Sequence, residues 1–167
     1  LYKLFANNGF STIRFNFRGV GKSEGIFDDG EGELSDAASV LDWLQQYNTN
    51  SKIVWVAGFS FGAWVAMQLL MRRPEINGFI SVSPPANLRD FSFLAPCPSS
   101  GLIIHGDKDT IASFDSAKIL SEKLQKQKKV DIQFKPIKGA DHFYENYVEK
   151  FLSTIDTYIK NSLNELK

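Results

Sequence analysis

The sequence predicts an α/β fold, a mostly parallel sheet with helices on both faces, and three observations carry that prediction. Short apolar runs of strand character alternate along the chain with stretches of helical periodicity. One run, Ile53-Val54-Trp55-Val56-Ala57, is apolar throughout, as a strand covered on both faces requires. Helical patterns separate the successive strands, and that rhythm builds a parallel sheet whose crossovers are helices.

Taken in order, Leu1-Tyr2-Lys3-Leu4-Phe5 reads as a helix turn. Residues 11–17 place Ile13, Phe15 and Phe17 on one face and Thr12, Arg14 and Asn16 on the other, the period of a strand. Asp28, Asp29, Glu31 and Glu33 bring negative charge that suits a helix N-terminus. Leu34, Ala37, Ala38, Leu41 and Leu44 then form one buried stripe, with Trp43 opposite it and unaccounted for. The run 53–57 is the expected sheet centre. Apolar residues surround the next helix, from Ala63 to Met71, almost completely, so it should be buried; Arg72-Arg73-Pro74 gives it a basic last turn and a stop. Residues 78–82 and 102–105 read as two more strands, separated by a proline-rich segment, 83–98. Phe114, Ala117, Leu120 and Leu124 make a helix, and Val130, Ile132 and Phe134 a fifth strand. Tyr144, Tyr147, Val148, Phe151, Leu152, Ile155 and Ile159 share the face of a last helix.

With 43% hydrophobic residues in 167, the chain has material for one packed core and reads as a single domain, 1–167. Its 19 basic and 19 acidic residues cancel, which leaves no electrostatic footprint for nucleic acid or an anionic membrane. The single Cys97 forms no internal disulfide, and no Cys/His cluster offers a zinc site, so a reducing cytoplasm fits and no metal is expected. No stretch approaches the ~20 apolar residues that span a bilayer. Homo-oligomerisation is the one protein partnership the reading leaves open.

The strand at 53–57 runs into Gly58-Phe59-Ser60-Phe61-Gly62, and a helix begins at once. That is the context of a nucleophile elbow, in which a serine occupies a strained turn between glycines that let the turn pack and a substrate approach. A nucleophilic serine needs a base, and the chain holds two histidines, His105 and His142. His105 ends the apolar strand Leu102-Ile103-Ile104-His105 and reads as a packing residue. His142 lies in the loop after the last strand, which leaves a parallel sheet at the same carboxyl edge as the Ser60 turn. The acid that orients it should leave that edge too, and Asp107 and Asp109 compete in His105-Gly106-Asp107-Lys108-Asp109. Asp109, further into the loop, is preferred, with Asp107 expected to fix the turn by bonding its own backbone. Two rival motifs fail on spacing. Gly21-Lys22-Ser23 lacks the glycine five residues earlier that a phosphate loop needs, Asn16 standing there, and Gly19, Gly21 and Gly25 miss GxGxxG by one position.

These residues resemble the α/β-hydrolase family, and within it the small lidless dienelactone-hydrolase-like and prolyl-oligopeptidase-like serine hydrolases. The segment from Phe15-Asn16-Phe17-Arg18-Gly19 to Gly25 is similar to the loop after the family's fourth strand, and Gly58-Phe59-Ser60-Phe61-Gly62 to its elbow. His105-Gly106-Asp107-Lys108-Asp109 resembles the segment carrying the acid at its last aspartate, and Gly139-Ala140-Asp141-His142-Phe143 the one carrying the histidine. The order Ser, Asp, His is the family's. One departure is Thr110-Ile111-Ala112, where many relatives continue with Val-Pro.

The resemblance implies a hydrolase of esters, thioesters or related acyl bonds on a small-molecule substrate. Ser60 is then the nucleophile, His142 the general acid/base, Asp109 its orienter, and the Phe61 backbone N–H an oxyanion donor, with no cofactor and no metal. The alternatives are a non-catalytic binding protein of the same fold and a small peptidase. Only roughly 18 residues, 83–100, join the third and fourth strands, too few for a helical lid, so the site should be open. Phe91, Phe93 and Leu94 either wall that site or cap the core. The family pattern also sets three strands before the helix at 1–8, the third of them between the strands matching 11–17 and 53–57. The chain is therefore expected to lack N-terminal strands and, with them, a second oxyanion donor.

Overall fold

Runs of Val, Ile, Leu and Phe bounded by glycine pair into one parallel sheet made of β1 (Trp55–Phe59), β2 (Gly78–Val82), β3 (Gly101–Gly106) and β4 (Ile132–Ile137), in the order β1-β2-β3-β4. The computed structural model describes residues 1–165 and divides into two units, Leu1–Ile53 and a second that starts at Val54 and holds the whole sheet. β2 and β3 are buried along their full lengths. Phe79, Ile80, Leu102 and Ile104 have no exposed surface, each worth about 1.5–3 kcal/mol relative to solvent. The expected sheet centre proves different. Among the described residues β1 pairs with β2 alone and begins at Trp55, because a continuous apolar run reports cover above and below a strand and says nothing of neighbours at its edges. At the opposite edge, β4 carries Pro136, which a strand tolerates where no ladder bond is demanded of its nitrogen.

The helices of this unit flank the sheet. α3 (Phe61–Arg72) packs on β1 and β2 and buries Ala63, Val65, Ala66, Met67, Leu69 and Leu70, matching its all-round apolar sequence. α4 (Phe114–Gln125) packs on β3 and β4; its N-terminus is capped by Ser113, whose Oγ accepts from the Ser116 N–H at 3.2 Å. α5 (Val148–Glu165) packs on β4 and buries Ile155, Tyr158 and Ile159. It starts later than the periodicity predicts. Tyr144 stands outside it at φ 58°, a left-handed conformation no helix continues through, with its N–H donated to Asp141 Oδ1 at 2.8 Å. The connection from β2 to β3 contains a single three-residue 3-10 turn, Ser92–Leu94, packed on α3. Phe91 and Leu94 are buried there, so of their two expected roles these residues take the capping of the core. Cys97 is buried nearby, and burial pushes its thiol up.

The first unit carries α1 (Tyr2–Asn7) and α2 (Glu31–Tyr47). Residues 11–17 form no strand, and Ile13 and Phe15 are exposed. Period-two alternation is necessary for a half-buried strand, but a strand exists only through a hydrogen-bonded neighbour, which periodicity cannot supply. The acidic cluster caps α2 as expected. The Glu33 carboxylate accepts from the N–H groups of Asp28 (3.0 Å) and Gly30 (2.8 Å). Burial opposes its ionisation, but these donors and Arg18 prevail and hold it below the usual carboxylate range. Arg18 grips Asp36 with Nε and Nη2 and lies across α2 where Gly32 has no side chain; a Cβ there would sit 2.1 Å from its Nη1. Trp43, unplaced by the buried stripe, pairs with Tyr47 one turn on, ring centroids 4.6 Å apart, and both are exposed. Among the described residues, no helix is long and apolar enough to cross a membrane.

Candidate active site

β1 delivers the chain to Ser60, which is the N-cap of α3 at φ 52°, ψ −119°. A non-glycine residue in that region costs on the order of 1–3 kcal/mol, and surrounding structure must enforce it. Gly58 is part of that enforcement, since a Cβ on it would lie 2.1 Å from the Gly62 carbonyl oxygen. Gly62 differs from expectation. A Cβ there meets nothing within 4 Å, so packing of the turn does not require glycine at that position. The Ser60 N–H donates to Val82 O at 2.8 Å, which ties the turn to the end of β2, while its Oγ makes no capping bond to α3. Phe61 is the first residue of α3, where backbone N–H groups have no i−4 carbonyl and the helix end is positive.

The turns after β3 and β4 bring the acid and the histidine together. His142 Nδ1 lies 2.7 Å from Asp109 Oδ2, and the Asp109 side chain has no exposed surface. A carboxylate only accepts, so Nδ1 carries the hydrogen and, in the neutral ring, Nε2 keeps a lone pair. The other Asp109 oxygen, Oδ1, accepts from the N–H groups of Ile111 (2.9 Å) and Ala112 (2.8 Å). Burial works against the Asp109 charge, but the His142 bond and these two N–H groups outweigh it and hold the carboxyl below its ordinary range. Asp109 therefore makes the local turn bonds expected of Asp107. Asp107 reaches across instead, its Oδ1 accepting from the Gly139 N–H at 2.6 Å and joining the two loops, as does the Lys108 N–H to Ala140 O bond at 2.9 Å.

Ser60 enters this arrangement through its neighbour. The Phe59 ring lies 4.8 Å from the His142 ring, and the Phe143 ring meets the same imidazole edge-on at 5.2 Å. No hydrogen bond joins Ser60 Oγ to His142 among the described residues, a looseness common before substrate binds. Both phenylalanines are exposed, Phe59 by 39% and Phe143 by 60%. Sequence reasoning passed over them, although each is the immediate neighbour of a predicted site residue. It also missed Tyr144, whose hydroxyl bonds Ser83 Oγ at 2.8 Å and donates to Ile104 O at 3.3 Å, pinning the His142 loop under the sheet edge. Burial pushes that phenol up to about 12, so it stays neutral. His105 ends β3 with no exposed surface, as a packing residue should, but Nε2 also lies 3.2 Å from Asp109 Oδ2.

The X-Pro dipeptidyl-peptidase (S15) family model matches residues 2–163. The chain is 52% identical over 162 residues to the uncharacterized protein RP471 of Rickettsia prowazekii, covering 95% of this chain and 68% of that one. It is 25% identical over 193 residues to the lysophosphatidylserine lipase ABHD12 of Danio rerio and spans 50% of that protein's length. Among solved structures, ATU1826 of Agrobacterium tumefaciens, described as a putative alpha/beta hydrolase of unknown function, superposes with a TM-score of 0.96 at 54% identity, covering 98% of this chain and 75% of that one. XC6422 of Xanthomonas campestris, an a/b serine hydrolase without lid, gives a TM-score of 0.74 at 32% identity over 92% of this chain and 65% of its own.

Proposed function

This chain belongs to the X-Pro dipeptidyl-peptidase (S15) family, within the alpha/beta serine hydrolases, and we propose that it cleaves an ester or related acyl bond through a Ser60-His142-Asp109 triad. The observation that carries the reading is the 2.7 Å Asp109–His142 bond, formed by an imidazole in tilted ring contact with Phe59, the residue that precedes a strained Ser60. In this reading His142 Nε2 takes the proton from Ser60 Oγ as the oxygen attacks the acyl carbon. Asp109 stabilises the imidazolium that forms. The N–H of Phe61, at the positive end of α3, donates to the developing oxyanion. Collapse expels the alcohol, which leaves with the proton from His142, and water then attacks the acyl-Ser60 ester by the same sequence in reverse.

The exposed rings of Phe59 and Phe143 flank His142 and favour a substrate with an apolar group beside the scissile bond. A lipid ester fits that preference, as the lipase relatives suggest. The second reading, a small peptidase that releases X-Pro dipeptides, is favoured by the family model. One substrate panel separates them. Turnover of p-nitrophenyl esters should rise with acyl chain length, exceed that of an X-Pro p-nitroanilide, and fall by on the order of 10⁴ or more in Ser60→Ala. Preference for the anilide would favour the peptidase, and turnover unchanged in Ser60→Ala would end both readings. A folded protein inert to the whole panel would favour a binding role.

A further inference from the structure

The chain's other histidine takes no part in these steps, yet it touches the same carboxylate. His105 stands at the carboxyl end of β3, its ring edge-on to Phe114 of α4 at 5.9 Å. Nε2 lies 3.0 Å from Ala112 O and 3.2 Å from Asp109 Oδ2, and Nδ1 has no hydrogen-bond partner among the described residues. Both facing oxygens only accept, so Nε2 must carry the hydrogen. The other tautomer would bury a donor at Nδ1 with no acceptor and point a lone pair at two oxygens.

We propose that His105 is a positioning residue of the triad: its Nε2–H secures the turn 109–112 through Ala112 O and sets a positive edge against Asp109 Oδ2, the oxygen His142 uses. The proposal rests on the assignment of Asp109 and His142 made above. The shorter contact, 3.0 Å, is the hydrogen bond to Ala112 O, and Oδ2 of Asp109 lies 3.2 Å from the same nitrogen. That edge draws charge from Oδ2 and so limits how strongly the carboxylate holds a proton on His142. The ionisable groups acting on His105 are Asp109 and His142, and the charge of Asp109 also acts on the phenol of Tyr144 in the loop after β4, which stays neutral. Burial, the largest influence on His105, keeps its imidazole below the ordinary range and neutral. Because Ile111 and Ala112 still clamp Oδ1 when His105 is replaced, removing its N–H changes the charge at Oδ2 more than the place of Asp109.

Two histidines make the test direct, because replacing one leaves a single imidazole to assign. In nitrogen-15 spectra of the unsubstituted full protein, His105 should remain a neutral Nε2–H tautomer from about pH 5.5 to 8, the span that brackets an ordinary imidazole titration. A Nδ1–H tautomer, or charging within that span, overturns the proposal. In His105→Phe the midpoint of the His142 titration should rise by roughly half a unit or more, while His105→Gln, whose amide N–H reaches both oxygens, stays near the parent. His105→Asn, whose amide stops short of them, should repeat the rise and serves if the Phe variant does not fold. Midpoints unmoved in the Phe and Asn variants overturn the proposal. Labelling of the parent by a fluorophosphonate is scored separately. Its absence, with the histidine results as expected, ends the Ser60 reading alone, whereas labelling with unmoved midpoints ends only the role of His105.

Discussion

Ser60 keeps its strained backbone because Gly58 lets the end of β1 approach the first turn of α3, and the two glycines of the elbow therefore have different work. Gly58→Ala must push a methyl into the Gly62 carbonyl and should lower stability by roughly 2 kcal/mol or more, read as a fall in denaturation midpoint. Gly62→Ala should leave that midpoint within about 0.5 kcal/mol of the parent, since open space surrounds it. A loss of ester turnover in that variant would then report on substrate approach. Asp109→Asn keeps the shape of the side chain but permits the wrong imidazole tautomer at His142, and kcat should fall on the order of 10⁴ with little change in KM. A fall below tenfold would mean Asp109 does not orient the base. The serine, the two loop residues and their order were legible because each follows a strand with glycine beside it. The contact of His105 with Asp109 was not, since it depends on how tightly the turn 109–112 folds back on β3, which the strand pattern does not encode.

Titratable groups at or near the ends of elements hold the acid sensitivity of the fold. His105 is buried with its imidazole held below the ordinary range, so below about pH 6.5 the unfolded chain binds a proton that the folded chain refuses. Stability should therefore fall as pH drops through that value, at a limit of about 1.4 kcal/mol per pH unit for this one group. Denaturation midpoints measured at pH 7.5 and 5.5 should show the decline, and His105→Phe should flatten it. Asp109 and Glu33 act further down: their carboxyls are held low in the fold, so the stability they add is present above the ordinary carboxylate range and lost as pH falls below it. Helices were read well from their stripes, α3 above all, because burial of one face or of all faces is written in spacing. Strand 11–17, the start of α5 and the place of β1 at a sheet edge were misread. Each depends on a partner distant in sequence: a ladder neighbour, the Asp141 carboxylate that turns Tyr144, and the set of strands beside β1.

Across the whole molecule, the turns after β1, β3 and β4 of a charge-balanced chain carry the proposed triad residues Ser60, Asp109 and His142 to one carboxyl edge of a parallel sheet. That convergence follows from topology, because parallel strands all end on the same side and their loops meet there. The connection after β2 is held down through the Trp64 Nε1–H bond to Asp90 O at 2.9 Å and the burial of Leu94, and it contributes no helical cover. Reaction of the full protein with a fluorophosphonate, followed by intact and peptide mass spectrometry, decides whether Ser60 is the nucleophile. One adduct per chain is expected, on Ser60, formed quickly in the parent, far more slowly in His142→Ala and not at all in Ser60→Ala. An adduct on another residue, or equal labelling of parent and Ser60→Ala, would contradict it.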